Sequence, residues 1–352
     1  MTRTDRAVPG DGTVSAADGE DRAAGRGMVG SRISAVGRRA LLSPEISLVI
    51  AILVLGAIIQ AKNPVFLKYD NLILVLTAAA PTFVMAVTMT FVLISGGIDL
   101  SVGSMSALGG VVAAMALTAG LPIPVAILIG LLVGAGIGTV VGLLVSWARI
   151  PPLIVTLGAL YIVRGIDLVM TGGAQIYPLP DAYNFLGLGS FFSVPFLVIY
   201  AVVAGIAAHV LLENSKYGFH LRAVGGNVAA ARAAGINVRR VMLSVYALSG
   251  MGAALAGMMI SARTTVGDPA SGQGTEIAVI SAVIVGGSSL FGAIGSITGT
   301  ALGVILIAVM SNGLLLMRIS SYWQFAMLGV VVIGAVGIDS VRRQHLWRPK
   351  ST

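Results

Sequence analysis

The sequence predicts an all-helical integral membrane protein of about ten spans, some of them broken or re-entrant. Three observations carry this expectation. The 352 residues are 57% hydrophobic and only 10% charged, with a mean hydropathy of +0.96, too little charge to cover a water-soluble domain of this length. Apolar runs recur at about 20 residues, the length an α-helix needs to cross the hydrocarbon. The 46 glycines and the scarcity of aromatic residues (6%) suit helices that pack closely through small side chains.

Residues 1–44 are polar, rich in Gly, Ala, Ser, Asp and Arg, and read as a disordered tail. No apolar core with a cleavage site follows a short basic start, so a signal peptide is not expected. Spans are then expected at 46–61, 71–94, 99–119, 123–146, 152–171, 193–212, 241–262, 275–291, 294–316 and 321–339. The eighth is short enough to be re-entrant, and the second and third are candidates for broken pieces. Arg22, Arg26, Arg32, Arg38 and Arg39 lie in the first tail. Lys216, Arg222, Arg232, Arg239 and Arg240 lie in the loop 213–240, and Arg342, Arg343, Arg348 and Lys350 in a C-terminal tail, 341–352. An even number of spans puts all three on one side, and the positive-inside rule makes that side the cytoplasm. The loop 172–192 has no Lys or Arg and one acid, Asp181, which suits the outside. Lys62 and Lys68 fall outside against the rule, partly offset by Asp70. The membrane domain is therefore 45–340, with both termini inside. Much of the net charge of +8 is topological, which points to a lipid bilayer and against a nucleic-acid partner.

The second and third spans are separated by Ser95-Gly96-Gly97-Ile98-Asp99-Leu100-Ser101-Val102-Gly103. A carboxylate at membrane depth is a functional candidate by default. Gly96, Gly97 and Gly103 let the backbone leave helical geometry, which survives there only where protein or a wet cavity satisfies it. Transporters build sites from such discontinuous helices. A second reading stays open, in which Asp99 caps a helix that begins nearby. Gly96-Gly97-Ile98-Asp99-Leu100 and Gly286-Gly287-Ser288-Ser289-Leu290 share a Gly-Gly-x-x-Leu pattern, a hint of internal repetition.

The loop 213–240 holds a second informative segment. Asn227 suits an N-cap, residues 228–234 contain five alanines and one arginine, and Gly235 suits a left-handed C′ position. A helix of about two turns is too short to stand alone in water, so the membrane domain or a partner must hold it. The other reading is an inert connection. In the fifth span Arg164 and Asp167 share a helix face, where pairing would offset the cost of burying each charge; a structural ion pair and a pathway role both stay open. Asn312 and Gln324 read as interhelical hydrogen-bonding groups, with contact to a transported sugar as the other reading.

Several functions lack support. Cysteine is absent, which excludes a disulfide framework, thiolate metal sites and a Cys nucleophile. None of Lys62, Lys68, Lys216 and Lys350 follows a glycine, so no phosphate-binding Gly-x-x-x-x-Gly-Lys loop exists and ATP, if used, binds elsewhere. His209, His220 and His345 lack metal-ligand spacing, and no nucleophile elbow precedes a helix. No enzyme activity, cofactor or metal is expected.

Ser95 to Ser104 resembles the signature of sugar permeases in the ribose/xylose/galactoside branch of bacterial ABC importers. Ala223-Val224-Gly225-Gly226-Asn227, with Ala230-Ala231-Arg232 and Gly235-Ile236-Asn237-Val238, resembles the cytoplasmic loop of that family. Val285-Gly286-Gly287-Ser288-Ser289-Leu290-Phe291-Gly292 resembles its late glycine-rich turn. The blocks keep the family's order, and the resemblance covers about residues 45–340. It implies a type II importer-like fold and two permease chains, alike or different. It also implies a separate ATPase subunit and an external sugar-binding protein. By the same resemblance Gly96, Gly97, Asp99, Ser101, Arg164, Glu276, Gly286 and Gly287 would belong to the substrate pathway. Gly225, Gly226, Asn227, Ala230, Ala231, Arg232 and Gly235 would couple to the ATPase. Glu276 matches a family glutamate usually followed two residues later by an aspartate; here that position is Ala278. A different class remains open, an ion-gradient-driven transporter with Asp99, Asp167 and Glu276 as ion sites.

Overall fold

The computed structural model describes residues 44–320 and 322–346. Residues 1–43, 321 and 347–352, and with them nearly all of the expected N-terminal tail and half of the C-terminal one, lie outside the described residues. The helices are α1 (Pro44–Lys62), α2 (Tyr69–Ile94), α3 (Val102–Thr118), α4 (Ile123–Ser146) and α5 (Pro152–Thr171), then α6 (Asp181–Leu188). A two-stranded hairpin, β1 (Ser190–Phe191) and β2 (Val194–Pro195), leads into α7 (Phe196–Glu213), α8 (Lys216–Gly226) and α9 (Val228–Ala233). The chain closes with α10 (Val238–Thr264), α11 (Thr275–Val285), α12 (Ile297–Leu316) and α13 (Tyr322–Leu346).

Among the described residues seven helices are long and apolar enough to cross a membrane: α1, α2, α4, α5, α7, α10 and α12. Three shorter apolar helices, α3, α11 and the start of α13, complete the ten expected spans. At 1.5 Å per residue the eleven residues of α11 reach only about 16 Å, half a bilayer. The eighth span is thus a half-helix that stops at Val285 rather than near 291. Three further elements were not anticipated. The loop 172–192 folds α6 and begins the hairpin, and the loop 213–240 contains α8 as well as α9.

The core lies around α10, which packs along α2, α3 and α4 and meets α6 at its far end. Small residues make that closeness possible. A Cβ on Gly138 of α4 would enter the Tyr246 carbonyl, and one on Gly257 of α10 the carbonyl of Ser106. Between apolar helices in lipid such close approach supplies the association energy that burial supplies in water. A second sub-bundle joins α12 to α1, α2 and α11.

Chain crossings define two faces. On the loop face, Arg239 at the start of α10 stands over the Trp147 ring at the end of α4, 5.6 Å from its centroid. There too the Ala293 N–H donates to the Ile94 carbonyl at 2.8 Å. On the opposite, hairpin face, Ile176 and Gly267 form an antiparallel bridge. The Tyr69 hydroxyl donates to the Ser193 carbonyl at 3.1 Å, and Asn63 Nδ2 to the Leu316 carbonyl at 2.9 Å.

Candidate functional site

The break after α2 closes with a Schellman turn. Gly96 is left-handed at φ +80°, its N–H donates to the Leu93 carbonyl, and the Gly97 N–H donates to that of Val92 (2.9 and 3.0 Å). The chain then folds back beside α10. Asp99 is fully buried. Its Oδ1 accepts from the Ser101 N–H at 2.9 Å and from the Ser101 hydroxyl, and its Oδ2 accepts from the Ser249 hydroxyl at 2.7 Å. The Tyr246 hydroxyl, one turn before Ser249, reaches the Ile98 carbonyl at 3.3 Å. Both Asp99 oxygens are therefore taken by protein donors. The residue makes an Asx turn and ties the break to α10, while the N-cap position of α3 is Ser101. Gly97 leaves no space either, since a Cβ there would meet the Tyr246 hydroxyl at 2.6 Å.

The second break closes in the same way but one residue out of step with the sequence pattern. The left-handed residue is Gly287, φ +91°. Its N–H donates to the Ile284 carbonyl, and that of Ser288 to Val283 (2.9 and 3.1 Å). Gly96 thus corresponds to Gly287, not to Gly286. Gly286 instead sits against the backbone of Gly299 in α12. Ser296 then caps α12 by accepting from the Gly299 N–H at 3.1 Å.

The three glycine segments converge on the loop face. Gly225, in the last turn of α8, is pressed so closely on the C-terminus of α2 that an added Cβ would enter the Ile94 carbonyl and stand 2.8 Å from the Ala293 nitrogen. A Cβ on Gly292 would meet the Gly225 carbonyl at 2.6 Å. Together with the Ala293–Ile94 hydrogen bond, these contacts lock α8, the first break and the second break into one junction. Beyond it Asn227 Oδ1 accepts from the N–H groups of Ala229 and Ala230, each at 3.0 Å. Gly235 is left-handed, φ +81°, so α9 has the expected caps. Its alanines are not equivalent: Ala230 and Arg232 are exposed and Ala231 is buried.

Arg164 and Asp167 do not form an ion pair. Arg164 Nη1 turns away to donate to the carbonyls of Pro269 and Ser271, the latter at 2.8 Å, and so holds the segment that enters α11. Asp167 is fully buried, and neither carboxylate oxygen has a hydrogen-bond partner among the described residues. Sharing a helix face set the two side chains on the same side, but backbone acceptors of another segment captured the guanidinium. Glu276, in the first turn of α11 where the helix dipole favours an acid, lies against the backbone of Gly103.

A half-open cavity of about 670 Å³ lies between α2, the end of α10, α11, α12 and α13. Its wall is mostly apolar, with Thr77, Arg263, Ser311, Asn312 and Gln324 turned toward it. Asn312 and Asn71 exchange two amide hydrogen bonds, 2.9 and 3.1 Å, and Gln324 Nε2 donates to the Ser311 hydroxyl at 2.8 Å, which agrees with their expected interhelical role. Arg263 escaped notice because a lone cation after an apolar run also reads as an interfacial anchor. Among the described residues no group of three His, Cys, Asp or Glu could hold a metal ion.

Comparison with known proteins supplies the context for this geometry. The chain is 38% identical over 298 residues to the ribose import permease protein RbsC of Escherichia coli strain K12, covering 84% of this chain and 93% of that one. It is 34% identical to the L-arabinose ABC transporter permease protein AraH of Azospirillum brasilense, over 85% and 88% of the two chains. To the galactose/methyl galactoside import permease protein MglC of Escherichia coli strain K12 it is 32% identical, over 88% and 98%. No solved structure matches. The family described as branched-chain amino acid transport system / permease component matches residues 71–336, and the chain belongs to it.

Proposed function

We propose that this chain is the membrane-spanning permease subunit of an ATP-driven bacterial importer for a monosaccharide or a related polyol. The observation that carries this is its similarity, over nearly the full length, to import permeases named for ribose, L-arabinose and galactose. Two features of the chain support it. It lacks a phosphate-binding loop of its own, so nucleotide chemistry belongs to a separate ATPase subunit and the chain itself binds no cofactor. A short capped helix, α9, stands exposed beside the junction of α8 with both helix breaks, where a subunit pressing on it would displace all three segments together.

On this proposal the loop face is cytoplasmic, both termini lie inside the plasma or inner membrane, and α9 seats in the ATPase. An external binding protein delivers the sugar to the hairpin face, and a second permease chain, identical or related, completes the pathway. Asp99, Gly97 and Ser101 act as the packed hinge of the pathway rather than as its open wall, because each is enclosed by protein.

The test is uptake of radiolabelled D-ribose, L-arabinose and D-galactose by cells expressing the chain with its ATPase and sugar-binding protein. Uptake of one of them, abolished by a hydrolysis-deficient ATPase, is expected. Uptake by the chain alone, driven by a proton or sodium gradient, would replace this proposal with the ion-coupled one.

A further inference from the structure

We infer that the 670 Å³ cavity is a sugar-binding station on the hairpin-face half of the pathway, and that Arg263 is its principal hydroxyl-binding group. This rests on the importer function proposed above.

Four observations point there. The first is position. Arg263 lies in the last turn of α10, Gln324 in the first turn of α13, and the α2 residues of the wall fall in its first half. The cavity therefore occupies the half of the bundle next to the hairpin face, while the glycine junction closes the opposite half. The second is size, since the volume falls inside the range of about 300–1,000 Å³ typical of small-molecule sites.

The third is unspent hydrogen-bonding capacity. A guanidinium carries five N–H groups, and Arg263 commits Nη1 alone, to the Thr77 carbonyl at a long 3.4 Å. Gln324 donates to Ser311, which leaves the Gln324 carbonyl as an acceptor and the Ser311 hydroxyl as a donor. Asn312, by contrast, commits both its donor and its acceptor end to Asn71. The planar guanidinium fork supplies several N–H donors beside one acceptor and one hydroxyl, so that neighbouring hydroxyl groups of a polyol find both donors and an acceptor. The fourth is charge. Among the described residues no Asp or Glu lines the cavity, so a cationic solute would find no counter-charge there. A neutral polyol needs none.

The chain contains no cysteine, so a single introduced thiol reports on the cavity without background. Ala308 lines the cavity, and Ala201 lines a neighbouring apolar one of about 390 Å³ between α2, α7 and α12, on the other side of Ala79 and Val304. In the assembled transporter Ala308→Cys is labelled with a membrane-impermeant methanethiosulfonate reagent. The probe is whichever of D-ribose, L-arabinose and D-galactose the parent assembly imports. That sugar is expected to slow labelling of Ala308→Cys at least threefold and to leave Ala201→Cys unaffected. Arg263→Gln should abolish the protection and raise the uptake KM about tenfold or more, the loss of one charge-assisted hydrogen bond. Arg263→Lys, which keeps charge without the fork, should recover part of it. ATPase co-purification should not change.

Unprotected labelling in a transporting assembly, or an unchanged KM in Arg263→Gln, overturns the station and leaves the importer standing. Protection by phosphatidylglycerol in place of sugar likewise overturns it, in favour of a lipid site. Absence of ATP-driven uptake in the parent assembly overturns the importer itself.

Discussion

The loop-face junction and the hairpin-face cavity lie in the same sub-bundle and are built by opposite rules. At Gly225 there is no space for one methyl group; a few turns away along α12 there is room for a sugar. The junction consists almost wholly of backbone, with the carbonyls and N–H groups of Ile94, Gly225, Gly292 and Ala293 in direct contact. The cavity is a side-chain surface whose polar groups are only partly committed. A contact that transmits a displacement must have no slack, and close-packed backbone has the least, since interiors move between discrete packings rather than deforming smoothly. A passage needs the reverse: volume, and donors that exchange partners.

The sharpest way to break this comparison is to add one methyl group on the tight side. Gly225→Ala drives a Cβ into the Ile94 carbonyl, an overpacking penalty of about 1–3 kcal/mol or more. ATP-driven uptake should fall at least tenfold with the protein still in the membrane. Gly158→Ala in α5 is the control, because nothing lies within 4 Å of a Cβ added there; it should transport normally. Equal behaviour of the two variants would show that the junction has slack.

The next contrast lies on α9. Ala230→Glu should leave the membrane domain intact and abolish co-purification with the ATPase, because Ala230 is exposed. Ala231→Glu should also lower thermal stability, because Ala231 is buried and an unpaired carboxylate there is costly. The sequence offered no ground for separating these neighbours, and identical melting curves would remove the distinction.

A smaller effect is expected at Asp99. Asn keeps an acceptor for the Ser101 N–H and presents an amide to Ser249, whose hydroxyl can accept, so Asp99→Asn should transport within a few-fold of the parent. Asp99→Ala leaves buried donors unpaired, at about 1–3 kcal/mol, and should lose most transport together with stability. If Asn fails as completely as Ala with both proteins folded, the charge itself is needed.

What could be read in the sequence divides along the same physical line as these predictions. The spans, the two glycine breaks and the caps of α9 were legible because each is local: a bilayer demands about 20 apolar residues, and Asn and Gly cap by short-range geometry. The one-residue slip between Gly96 and Gly286 arose because a Gly-Gly doublet offers two candidates for the left-handed position and only the folded turn selects one. Ser249, the long-range partner of Asp99, lies 150 residues away, and the two carbonyls that hold Arg164 lie 105 and 107 residues away. A helix-face rule therefore paired Arg164 with Asp167, while the fold paired it with two carbonyls. The junction was hidden for the same reason. Its three motifs were each visible, but nothing local says that they touch.

The smallest effect tests whether facing the cavity is enough to engage its occupant. Asn312 stands on the wall beside Ser311 and Gln324, yet both ends of its amide are bonded to Asn71. Asn312→Leu should therefore act on packing alone. Interhelical hydrogen bonds within membranes are worth on average about 0.6 kcal/mol and at most about 1.7, and the change also leaves Asn71 Oδ1 without its partner, while Asn71 Nδ2 keeps the Phe66 carbonyl at 2.8 Å. A drop of a few degrees in the melting temperature is expected, with the uptake KM unchanged within twofold. Asn71→Leu should cost a similar amount, and the double variant should cost less than the sum of the two, since the second change removes a partner that the first had already left unpaired. A KM rise in Asn312→Leu comparable to that of Arg263→Gln would show instead that the sugar competes for the amide pair, and the wall could no longer be divided into structural and sugar-binding groups by their hydrogen bonds at rest.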